Sequence, residues 1–320
     1  MNKLAHLPIA LFASVMGMSG LTLGWLKAGT AGWPVAYPVG LALAIATTVL
    51  LALLLIAYGL KLLNHRGAVI EEAKHPIKLN FFAAIPIGLI LVATLWSAHQ
   101  PTFAEPIWWV GIGAMLVATL FTMSSWINHS HYQVGHLNPA WFIPVVGNIL
   151  VPIAGMRLGH TEVSWFFFSV GLVFWIILTA LVMNRLIFHD ALPDRMRPTL
   201  FILLAPPAVG FVSYLSLNGM TLDALARILY FTALFLALLL ASNAIKFLKL
   251  PFFISGWAYS FPIAAMTVAS FEMGELSGLF GYMALAWALL ATLTVVVLYL
   301  AYKTLSALFS GKLLAPEPAH

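Results

Sequence analysis

A chain of 320 residues in which 62% are apolar and only 8% are charged cannot cover itself with the polar surface that a water-soluble domain of this length needs. Its formal net charge of +5 comes from Lys and Arg scattered through short connections, not gathered in one patch, so it reads as membrane topology and not as a nucleic-acid footprint. The absence of cysteine excludes disulfides, thiolate catalysis and cysteine-ligated metal centres, and no cofactor is expected.

A bilayer core about 30 Å thick needs about 20 apolar residues per helix. Windows free of Asp, Glu, Lys and Arg recur at 7–26, 36–60, 80–98, 106–128, 141–156, 165–184, 199–217, 228–245, 253–271 and 278–302. The first follows Lys3 in the manner of a signal peptide, yet no small-residue cleavage site leads into a polar domain, so it reads as a first span. Connections as short as Asn218–Asp223 leave no room for a separate soluble domain. The expected organisation is one all-α membrane domain over 1–308 and a disordered cytoplasmic tail over 309–320.

Alternation of the windows puts twelve basic residues on the side of the termini and three, Lys27, Arg157 and Arg227, on the other. Lys and Arg are retained on the cytoplasmic side during insertion, so both termini are expected in the cytoplasm. Trp33, Tyr37, Trp108, Trp109, Trp126 and Trp165 fall near span ends, where amphipathic rings anchor a helix at the headgroups.

Odd and even windows differ. The third reads LNFFAAIPIGLIL, the fifth NPAWFIPVVGNILVPIAG, the seventh TLFILLAPPAVGFVSYLSL and the ninth FISGWAYSFPIAAMTVAS, each with proline in or near its first half. Even windows are mostly uninterrupted apolar runs. This suggests a helical hairpin repeated five times, the first odd span carrying Gly17, Gly20 and Gly24 in place of a central proline. A proline inside a helix frees the carbonyl four residues earlier, which in lipid must find a protein or water partner, so the odd helices belong inside. Pro86, Pro206 and Pro262 would free Phe82, Ile202 and Ala258, and Pro152 would free Asn148; Pro144 stands in the same fifth window.

Small and polar residues share these helices, among them Ser14, Ser213 and Ser260, and for the glycines close packing is the better reading. Asn148, deep in a span, is balanced between interhelical hydrogen bonding and pore lining. Coupled transporters commonly place ionisable residues within their spans, and these windows hold no Asp, Glu, His or Arg. An anion would meet hydroxyls, amides and helix dipoles, the weak sites that suit passive passage.

The segments FASVMGMSGL at 12–21, LAPPAVGFVSYLSLNG at 204–219 and WAYSFPIAAMTVAS at 257–270 resemble the tellurite-resistance/dicarboxylate transporter family, which includes bacterial TehA, fungal malate and sulfite permeases and the plant guard-cell slow anion channels. The resemblance implies a homotrimer in a bacterial inner membrane, each protomer with its own pore of five odd helices in quasi-five-fold arrangement jacketed by the even ones. It also implies that a phenylalanine on the ninth span occludes the pore, and the matching residue is Phe261. Phe82 and Phe142 are weaker candidates for narrowing the same path. The expected cargo is a small monovalent anion such as chloride or nitrate, with secondary transport or export of malate, sulfite or tellurite as the alternative.

Two polar clusters lie outside this picture. His129, His131 and His136 in NHSHYQVGH offer imidazoles to a metal but have no nearby carboxylate or cysteine, and Glu71 and Glu72 read as a mixed-charge cytoplasmic turn, so no enzyme and no metal site is expected. Lys27, Arg157 and Arg227 are candidates for attracting anions to an outer vestibule, or for pairing with Glu162, Asp223, Glu272 or Glu275.

Overall fold

The computed structural model describes residues 3–129 and 132–315, and these residues contain helices but no strand. In chain order the α-helices are α1 (Ala13–Thr30), α2 (Ala36–Asn64), α3 (Arg66–Lys74), α4 (Ala84–Trp96), α5 (Pro101–Asn128), α6 (Phe142–Val146), α7 (Val151–Gly155), α8 (Thr161–Phe188), α9 (Ala205–Leu217), α10 (Ala224–Ser242), α11 (Ala244–Leu248), α12 (Ser260–Ser277) and α13 (Phe280–Phe309). Among the described residues eight helical stretches are long and apolar enough to cross a bilayer. Two more occupy the fifth and ninth windows. The fifth, Pro139–Gly155, is short and broken between α6 and α7; the ninth ends in the charged residues Glu272 and Glu275 of α12.

Burial separates the long helices into two classes. In the apolar 18-residue windows of Ile9–Thr30, Lys78–Trp96 and Arg197–Leu217, 67%, 78% and 61% of residues are buried, against 28% in each of the windows built on α2, α5, α8, α10 and α13. A helix that is apolar all round yet mostly uncovered needs lipid as its solvent. The chain is therefore a multi-pass membrane protein.

The inner elements share a local design, and in four of the five a proline falls just after the change of helix type. Each passes from a 3-10 helix into an α-helix: Ile9–Phe12 into α1, Lys78–Ala83 into α4, Pro139–Trp141 into α6 and again Gly147–Leu150 into α7, Arg197–Leu204 into α9 and Ile254–Tyr259 into α12. Pro86, Pro152, Pro206 and Pro262 fall within the first three residues of their α segments. That is where a missing N–H costs least. Tighter 3-10 bonds occupy the freed carbonyls: Ala205 N–H donates to Ile202, and Val151 N–H donates to Asn148. At these four prolines the helix changes type.

These elements contact one another in a closed ring, α1 to α4, α4 to α7, α7 to α9, α9 to α12 and α12 back to α1, and each also packs on the long helix that follows it in sequence. The ring closes tightly at α1 and α12. A Cβ on Gly17 would stand 2.2 Å from Ser260 Oγ and one on Gly20 2.5 Å from the Ala264 Cβ, so only glycine permits this approach.

Three expectations need correction. Trp108 is no interfacial anchor: it is fully buried, donates to the Val151 carbonyl at 3.2 Å and stacks on His160. The tail is not wholly without structure, since Lys312–Leu314 form a 3-10 turn that packs near Lys3–His6 with Leu313 buried; residues 316–320 lie outside the described residues. Glu72 does not sit in a solvated turn. On helix α3 it accepts from Lys61 Nζ and the Tyr58 hydroxyl, both at 2.7 Å, while Lys61 also donates to the Leu7 carbonyl at 2.7 Å with only 1% of its side chain exposed.

Candidate functional site

Two cavities lie inside the ring. The one nearer the termini has a volume of about 70 Å³, and all its lining residues are apolar; Ile87, Phe142, Pro206, Trp257 and Pro262 are among them. The other has a volume of about 490 Å³ and runs from Gly20 and Ala264 to Lys27, Arg157 and Glu272. Leu150, Val209 and Phe261 line both. These three residues come from the fifth, seventh and ninth windows, and they form the partition between the two spaces. The aromatic ring of Phe261 is its largest member, 92% buried on the residue's 8% exposure.

The chain holds Phe261 there by local means. Ser260 Oγ donates to the Trp257 carbonyl at 2.6 Å, fastening the 3-10 segment to the first turn of α12, and Pro262 follows in the same turn. Trp257, itself a cavity wall, is fixed by donating Nε1–H to Thr304 Oγ1 at 2.9 Å. The missing side chain at Gly20 leaves room beside the Phe261 ring, 3.5 Å from where a Cβ would lie.

The other sequence candidates divide. Phe142, Pro206 and Pro262 line the smaller cavity. Phe82 lies outside both cavity walls, edge-on to Tyr58 with ring centroids 6.2 Å apart; its neighbour Phe81 lines the smaller cavity instead. Pro86 and Pro144 are buried, and the Pro144 carbonyl accepts from Thr119 Oγ1 at 2.7 Å. Ser14 and Ser213 spend their hydroxyls on the carbonyls of Leu11 and Ile149, at 2.7 and 2.5 Å. Gly17 is a packing site against Ser260 and Trp257. Asn148 turns toward α5, donating to Thr119 Oγ1 at 2.9 Å and to the Val145 carbonyl at 2.7 Å, so it joins helices.

At the end opposite the termini, Lys27 and Arg157 both line the larger cavity. Lys27 Nζ lies 2.8 Å from Glu272 and 2.8 Å from Glu275, one helical turn apart on α12. Arg157 donates to Ser97 Oγ at 3.5 Å and has no ion pair among the described residues. Nearby, Asp223 caps α10 by accepting from the Ala226 N–H at 2.9 Å, and also accepts from the Tyr214 hydroxyl at 2.6 Å; these bonds, the backbone one foremost, hold its carboxyl below the usual range. His129 and His136 hydrogen-bond within their own turn and His131 lies outside the described residues; no group of three potential metal ligands occurs among the described residues.

A ring of buried helices that encloses cavities at both ends, wrapped in helices that face lipid, defines a membrane channel or transporter. The family can be given more closely: residues 6–305 match the family described as SLAC1, voltage-dependent anion channel, and the chain belongs to it. It is 30% identical over 266 residues to the tellurite resistance protein TehA homolog of Haemophilus influenzae, a match covering 81% of this chain and 79% of that one. It is 26% identical over 323 residues to the guard cell S-type anion channel SLAC1 of Arabidopsis thaliana, covering 98% of this chain. The S-type anion channel SLAH2 of the same plant is 27% identical over 279 residues, 85% of this chain. The chain spans little more than half the length of these plant channels, 58% and 53% respectively.

Proposed function

We propose that this protein passes small monovalent anions, chloride or nitrate, passively across a bacterial inner membrane, through a pore within each protomer that Phe261 closes. The observation that carries this reading is that Phe261 is the largest of the three residues walling both cavities, so moving its ring would remove most of the partition between them. On this reading ten helices cross the bilayer as five hairpins in quasi-five-fold arrangement, with both termini cytoplasmic. The 12 to 3 split of basic residues supports that orientation. The apolar smaller cavity supports a barrier that acts by steric blockage and dewetting. The protomer is taken to assemble as a trimer, and no enzymatic activity is assigned to it.

A reversal-potential measurement on reconstituted protein tests the reading. Current that follows the chloride or nitrate gradient alone agrees with a channel. Obligatory coupling to protons would contradict it and favour secondary transport or export of malate, sulfite or tellurite.

A further inference from the structure

The mouth of the larger cavity contains charges that do not contribute equally. A third cavity of about 310 Å³ continues outward from it, and Arg157 and Glu272 line both spaces. A solute moving between the two therefore passes both a guanidinium and a carboxylate. Opposite charges in one mouth attract, and a third charge that engages one of them weakens that attraction. Here the Lys27 ammonium bridges Glu272 and Glu275 at 2.8 Å each, whereas the polar contact of Arg157 among the described residues is the 3.5 Å one with Ser97.

We propose, building on the anion-channel reading above, that Lys27 serves the path without meeting the anion: by holding Glu272 it keeps Arg157 free to capture small oxyanions at the mouth. The ligand class follows from the guanidinium, whose planar fork of N–H donors matches two oxygens of a nitrate or carboxylate better than a spherical halide. Lys27 is thus a positioning residue, and Arg157 is the binding one. Glu275 is exposed and lines neither cavity, so its part is to share the clamp.

Two double variants with the same formal charge separate this from simple attraction by Lys27. Lys27→Gln/Glu275→Gln removes the clamp but leaves Glu272 beside Arg157, whereas Lys27→Gln/Glu272→Gln removes both the clamp and the competing carboxylate. In a Phe261→Ala background, nitrate conductance at about 10 mM salt should be about threefold lower in the first than in the second, the size of one unit charge a few ångströms away in a watery mouth. The gap should close at about 1 M salt, where the screening length falls to about 3 Å. Equal conductances in the two variants would overturn the proposal. A binding measurement needs no current: in detergent, nitrate should raise the melting temperature of the Phe261-intact protein more than equal chloride. That difference should vanish in Arg157→Gln and in Lys27→Gln/Glu275→Gln. Survival of the difference in either variant would overturn the site, while absence of anion current with an intact nitrate effect would overturn only the channel reading beneath it.

Discussion

Gly20 of α1 lies directly on Ala264 of α12, three residues beyond Phe261, so closely that a Cβ at position 20 would stand 2.5 Å from the Ala264 Cβ. The contact sets how near the first inner helix comes to the helix that carries the partition. Gly20→Val should therefore destabilise the protein by about 1–3 kcal/mol, the usual cost of overpacking, because Ala264 has no flexible end to move aside. Adding Ala264→Gly should return part of the loss. Melting in detergent measures both, and a Gly20→Val protein as stable as the parent would show that the two helices do not meet in this way.

Asn148 offers a test of lining against packing. Its amide donates to Thr119 Oγ1 and the Val145 carbonyl, away from both cavities. Thr119→Val leaves Asn148 and the Pro144 carbonyl each short of a buried partner and should cost about 1–3 kcal/mol. The ratio of nitrate to chloride permeability should stay at the parent value, whereas a shifted ratio would return Asn148 to the path.

The division into inner and outer helices is legible in the sequence, because Pro86, Pro152, Pro206 and Pro262 sit among small residues in the odd windows while the even windows are mostly uninterrupted apolar runs. The change of helix type at those prolines is not, since a missing N–H permits both a kink and a 3-10 start, and only the neighbouring carbonyls decide. Phe81 and Phe82 are indistinguishable as letters, yet the turn of one 3-10 helix puts the first on a cavity wall and the second on Tyr58. Glu72 reads as solvated because Glu71, Glu72 and Lys74 crowd one turn; its partner Lys61 sits eleven residues away near the end of α2, a pairing that no local spacing reveals. Lys27 and Arg157 read alike as outer cations, and distant Glu272 and Glu275 set them apart.

Asp223 gives a pH dependence whose sign is fixed. Its carboxyl is held below the ordinary range by the Ala226 N–H and the Tyr214 hydroxyl, so the folded state favours the ionised form. The stabilisation is fully present above the unfolded value of about 3.9 and is lost as pH falls toward the lower folded value. The melting temperature of the parent should exceed that of Asp223→Ala at pH 7 and the gap should shrink below about pH 4. A gap that widens on acidification would contradict the assignment.

The central claim is that the Phe261 ring is the main barrier between the two spaces. Phe261 shares the partition with Leu150 and Val209, whose smaller side chains do not replace its area. The direct measurement is the current through planar bilayers or oocytes expressing Phe261→Ala beside the parent, with surface abundance checked and anions substituted in turn. The account predicts a large rise in anion current in Phe261→Ala, with a reversal potential that tracks the permeant anion; a correctly inserted variant whose current equals that of the parent would contradict it.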